Sequence, residues 1–116
     1  MPAATHDIYI ERGATFIRTI TWKDSTGALV NLTGYTARMQ IRQKLSSATP
    51  LISLVNGSGI TLGGVAGTIA IEITDTVTTA LDIRQGVYDL ELVSGGGIVT
   101  RLIEGGVEVS KEVTRS

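Results

Sequence analysis

A two-residue alternation of apolar and polar side chains constrains this chain more than any other feature. Between Tyr35 and Gln43, the residues Tyr35, Ala37, Met39 and Ile41 alternate with Thr36, Arg38, Gln40 and Arg42. Successive side chains of an extended strand point to opposite faces, so such a run predicts a half-buried β-strand. The same beat recurs at Ile8 and Ile10, at Ile69, Ile71 and Ile73, and at Tyr88, Leu90 and Leu92. Phe16, Ile20 and Trp22 keep it too, but Arg18 falls in their phase, which predicts an edge strand or a bulge there.

The segments between these runs are turn-forming. Asp24–Gly27 (DSTG) and Asn31–Gly34 (NLTG) each end in a glycine, and Asn56–Gly59 (NGSG) predicts a hairpin. Lys44–Pro50 reads as a loop, and Ser94–Gly97 as a hairpin tip. Only DTVTTAL, residues 75–81, suggests a helix, short because of its threonines and with Asp75 as its cap. "IVTRLIEG" and "GVEVS" read as two closing strands. The total is about seven to nine strands in one domain spanning 1–116, an all-β sandwich or barrel. An extended N-terminal segment (1–7) and a polar C-terminal tail (about 110–116) flank it.

Several function classes are disfavoured. A net charge of −1 lacks the basic footprint of a nucleic-acid binder, so no nucleic-acid partner is expected. With no cysteine and one histidine, His6, neither a thiolate nor a zinc set can form. No apolar run approaches the roughly 20 residues of a membrane helix, and "MPAATHD" lacks a secretion pattern. The chain is therefore expected to be soluble, without a membrane partner. A Ser-His-Asp arrangement would hang wholly on His6, close to the terminus. Asp89 and Glu91 share a strand face and could serve a glycosidase or calcium site, but read more simply as a wetted face. The glycines of GSGITL and GGVAGT have neither the lysine nor the long helix of a phosphate cradle. No catalytic residue, cofactor or metal is expected.

What remains is surface. Arg38, Gln40 and Arg42 share the polar face of the opening strand, as a docking stripe or as cross-strand partners of Asp89 or Glu91. Near-zero net charge leaves little repulsion between copies.

The phrases IYIERGATFIRTITWKDSTGALVNLTGYTARMQIR, GTIAIEIT and GVYDLELVSGGGIVTRLIEGGVEVSKEVTR resemble a group of small tailed-bacteriophage proteins of the virion and tail. The shared pattern is the glycine-led strand Gly13–Trp22, D-x-x-G at 24–27, L-T-G-Y at 32–35, Y-D-L-E at 88–91, V-T-R-L-x-E-G at 99–105 and V-T-R at 113–115. The W-x-D and L-T-G part is more distantly similar to the N-terminal domain of phage upper baseplate proteins. Ala14 stands where the group often has a polar residue, and the baseplate proteins continue into a long fibre, whereas this sequence stops at Ser116. The resemblance implies an immunoglobulin-like antiparallel β-sandwich. It also implies a virion structural protein, assembled in the bacterial host cytoplasm and serving as a tail, neck or baseplate adaptor or fibre-attachment component. Its partners would be other phage structural proteins and copies of itself. Alternatives are a capsid decoration protein, a carbohydrate-binding module at the host surface, or a cell-wall hydrolase. In such an assembly Met1–Asp7 and Gly106–Ser116 would lie along neighbours, with Val107, Val109 and Val113 as anchors beside Arg38, Gln40 and Arg42.

Overall fold

The computed structural model describes residues 4–110. Nine strands follow in order: β1 (Ala4–Thr5), β2 (Ile8–Glu11), β3 (Phe16–Thr21), β4 (Thr36–Arg42), β5 (Ile52–Asn56), β6 (Gly59–Leu62), β7 (Thr68–Ile73), β8 (Gln85–Val93) and β9 (Val99–Ser110). One short helix, α1 (Asp75–Thr79), joins β7 to β8, and a 3-10 turn, Gly64–Ala66, joins β6 to β7.

The strands form two layers. One runs β1/β2-β9-β8-β4-β5 and the other β6-β7-β3, with a two-residue pairing of β5 to β6 joining them. Pairing β3 with β7 in one layer, and β4 with β8 and β8 with β9 in the other, is the arrangement of an immunoglobulin-like sandwich. The facing sides carry the alternating residues read from sequence. Met39 and Ile41 of β4, Leu90 and Leu92 of β8, and Ile69, Ile71 and Ile73 of β7 are all buried in one core. Each such side chain contributes on the order of 1.5–3 kcal/mol by leaving water. Tyr35 packs at the core margin, its ring edge-on to Trp22 at 6.0 Å.

Four expectations are corrected. The sandwich is not wholly antiparallel, because β1 and β2 run parallel to β9, and β5 runs parallel to β6. Asn56–Gly59 is not a simple hairpin. Gly57 and Gly59 take left-handed φ values of 88° and 96° and turn the chain from one layer into the other. The closing segment is one strand of twelve residues rather than two, with Gly105 and Gly106 inside it. Asp75 is the first residue of α1 and not its cap; Thr74 is the N-cap, without a side-chain cap bond.

Other features follow local chemistry. Asp24 Oδ1 accepts from the Thr26 amide and hydroxyl and from the Ala28 amide, closing the first turn around Gly27. These bonds, the Thr26 hydroxyl first, hold the Asp24 carboxyl below the usual carboxylate range. Buried Thr78 donates to the Ala14 carbonyl at 2.9 Å and accepts from the Gly13 amide at 3.1 Å, tying α1 to the start of β3. As Arg18 foreshadowed, β3 is an edge strand. Arg18 lies opposite Ile71 on the inward side and meets the His6 ring across the sandwich margin. A charge pointing inward from an edge discourages other strands from adding there.

Candidate protein-docking face

The outer face of β5-β4-β8-β9 gathers most of the residues singled out from sequence. Strand register sets its side chains in three rows. The first holds Val55, Arg38, Glu91 and Arg101; the second, Ser53, Gln40, Asp89 and Glu104. The third holds Arg42, Val87 and Gly106, and Leu51 lies just before β5, its amide donating to the Ile41 carbonyl. A register shift between Leu90 and Glu91 brings Arg101 opposite Glu91, so the first row alternates in charge.

Arg38 Nε donates to Glu91 Oε1 at 2.7 Å, the cross-strand pair anticipated from the spacing. Arg101 lies 3.5 Å from Asp89 and 4.0 Å from Glu91. All these groups are substantially solvated, so each pair contributes only about 0.2–1 kcal/mol. Their value lies in fixing where charge is displayed. Arg42 is held by neutral partners, donating to the Ser47 carbonyl at 2.7 Å and to Gln40 Oε1 at 2.8 Å. Glu104 stands directly opposite Asp89, carboxylate against carboxylate. The Asp89 carboxyl is pushed above its ordinary value by partial burial and then by Glu91, with Arg101 opposing.

A shallow groove of about 430 Å³ crosses this face, lined among others by Gln40, Arg42, Leu45, Val87, Asp89 and Glu104. Leu45 projects at its rim, 88% exposed, and Leu51 and Val55 add exposed apolar surface on the β5 side. Charge, amide and aliphatic groups in shallow relief suit a protein surface better than a small substrate.

The remaining expected anchors are elsewhere. Val107 and Val109 are 2% and 6% exposed and belong to the chain's own core. They face inward because β9 keeps its two-residue phase through Gly105 and Gly106, so their side chains cannot reach a neighbour. Likewise β1 and β2 lie along the chain's own β9. Val113 lies outside the described residues. His6 is placed at the sandwich margin: its carbonyl accepts the Tyr88 hydroxyl, and its ring meets Arg18. Burial pushes the Tyr88 hydroxyl's pKa up, against the pull of Arg18. Among the described residues no group of three or more His, Cys, Asp or Glu side chains is placed to hold a metal ion. No described helix is long and apolar enough to cross a membrane.

Glu104, Arg101, Ser53, Leu51 and Val55 were not singled out from sequence. The period-two pattern assigns each to an outer face, but only strand order makes them neighbours of Arg38, Gln40 and Arg42.

The strand order and the two layers place the chain in the immunoglobulin-like β-sandwich class. No protein-family profile matches the sequence, and no curated protein matches it. Among solved structures, one from work on multimeric cell-adhesive interactions of VGSC beta subunits is 17% identical, covers 91% of this chain and 92% of that one, and has a TM-score of 0.49. Another, an extracellular domain of the voltage-gated sodium channel beta4 subunit that forms parallel homodimers, is 14% identical over 97% of both chains, with a TM-score of 0.48.

Proposed function

We propose that this chain is a structural component of a tailed-bacteriophage virion, an adaptor or fibre-attachment piece of the tail, neck or baseplate. It works by docking to other proteins through the outer face of β5-β4-β8-β9. The observation that carries this reading is that face. Four strands, cross-braced by backbone pairing, hold Arg38, Gln40, Arg42, Asp89, Glu91 and Glu104 in fixed rows beside exposed Leu45, Leu51 and Val55. A rigid scaffold keeps the entropic cost of docking low, because few side chains must be ordered on contact. The virion assignment is supported by the motifs at 13–35, 88–91 and 99–105 shared with small phage tail-associated proteins.

The test is mass spectrometry of purified particles from cells producing the phage, with parental and Arg38→Glu/Arg42→Glu chains. The parental chain is expected in particles at a fixed stoichiometry. The variant is expected to fold with an unchanged circular-dichroism spectrum and to be lost from them. Particles without the parental chain would remove the virion reading; full incorporation of the variant would remove this face as the docking surface.

A further inference from the structure

The rows are self-complementary when β4 lies over β8, and from this we infer that the occupant of the face is a second copy of the same chain. This rests on the reading of the face as a docking surface and specifies its partner. Consider two copies packed face to face about a two-fold axis parallel to the strands, running between β4 and β8. Such a contact is isologous: each residue meets the partner residue at its mirror position across the axis. β4 then lies over the partner's β8, and β5 over the partner's β9.

The first two rows match under this operation. Arg38 meets the partner's Glu91, and Val55 lies along the partner's Arg101, whose aliphatic stem is apolar. Gln40 meets the partner's Asp89, amide to carboxylate, and Ser53 meets the partner's Glu104, hydroxyl to carboxylate. Arg42 lies along the partner's Val87.

Three other axes bring like charges together. An axis along β8 sets Glu91 on Glu91, Asp89 on Asp89 and Arg38 on Arg101. An axis along β4 sets Arg38 on Arg38 and Arg42 on Arg42. An axis crossing the strands at the middle row sets Arg38 on Arg42. Across the three rows three arginines, Arg38, Arg42 and Arg101, stand against the carboxylates Asp89, Glu91 and Glu104, with the Asp7 carboxylate beside Gly106 at the margin, so the face carries little net charge to oppose its own kind. Glu104, which faces another carboxylate within its own chain, gains a hydroxyl donor in this pairing.

Ser53 and Glu104 give a clean test, because β4 and β8 separate them within one chain and only the pairing brings them together. Dimer dissociation is read by sedimentation equilibrium over a range of concentrations. Ser53→Arg places a cation on the partner's Glu104 at two symmetric points, and is expected to tighten the dimer on the order of five-fold. Ser53→Glu is expected to weaken it by a similar factor, and Ser53→Glu/Glu104→Arg to recover it. Both sites are solvent-facing, and an unchanged urea midpoint confirms folding in each variant. A chain monomeric at all concentrations, equal effects of Ser53→Arg and Ser53→Glu, or no recovery in the double variant would each overturn the pairing. A monomer that is nevertheless found in particles would remove this pairing and leave the docking reading. The expected charge dependence in a chain absent from particles would keep the pairing and remove the virion reading.

Discussion

Gly105 provides the sharpest test of how the N-terminal segment is held. Its φ lies outside the left-handed region, so alanine carries no backbone strain there. Taken alone, Gly105→Ala would stabilise the fold by about 0.4–1 kcal/mol, by restricting the unfolded chain. The structure reverses that sign. An added methyl would overlap the His6 carbonyl oxygen, with the His6 carbonyl carbon at 2.7 Å and Asp7 Oδ1 at 3.0 Å. Because β9 is paired on both sides, the N-terminal segment has to yield. Three interactions move with it: the His6 amide to the Glu104 carbonyl at 2.9 Å, the Gly106 amide to Asp7 Oδ1 at 2.8 Å, and the Tyr88 hydroxyl to the His6 carbonyl. Water can replace the first two, at about 1 kcal/mol each, while stranding the hydroxyl of buried Tyr88 costs about 1–3 kcal/mol. After the alanine gain, the expected net loss is about 2–4 kcal/mol. Urea denaturation measures it as a lower midpoint at constant slope. A cycle with Tyr88→Phe isolates the cause. Tyr88→Phe alone should cost about 1 kcal/mol. In the Gly105→Ala background it should cost nothing, because the hydroxyl has already lost its acceptor. Additive costs, or a stabilising Gly105→Ala, would refute the reasoning.

Two further outcomes test the assignment of residues to core and turn. Val109→Ala is expected to lower unfolding stability by roughly 2 kcal/mol, as loss of buried methyls does, while leaving the dimer dissociation constant of the folded chain unchanged; a change in association with intact stability would return Val109 to an interface. Asp24→Asn probes the first turn through pH. The folded Asp24 pKa is depressed below 3.8, so its stabilisation is present above that value and is lost as pH falls through the lower folded value. Thermal midpoints measured between about pH 2 and pH 7 should show the variant below the parent at neutral pH, with the gap closing in acid. A gap independent of pH would show that the carboxylate charge plays no part.

The faces of the strands were legible in the sequence because a two-residue period is a local property of the backbone. Met39, Ile41, Leu90, Leu92 and the Ile69–Ile73 set all point inward as their spacing indicates. Arg18 marked β3 as an edge or a bulged strand, and it is an edge, where an inward charge can be accommodated. Neighbour relations were not legible. Nothing local in Ile8–Glu11 shows that it runs parallel to β9, a pairing separated by almost the whole chain. The pair Gly105–Gly106 has the composition of a turn, yet its smallness serves a close approach by His6 inside a continuous strand. That single misreading moved Val107 and Val109 from the core to the surface.

The parallel seam between β2 and β9 bears on how the domain would carry a load. Ile8 to Glu11 lie beside Val107 to Ser110 in the same direction, so tension drawn from opposite ends of the molecule slides the two strands past each other. Parallel ladders space their hydrogen bonds evenly, and a sliding load strains the whole set together instead of opening it one bond at a time. Resistance to rupture is a matter of unfolding rate more than of equilibrium stability. A module closed by such a seam is mechanically toughest along the axis joining its two ends, which is the direction in which a link between two larger bodies is pulled.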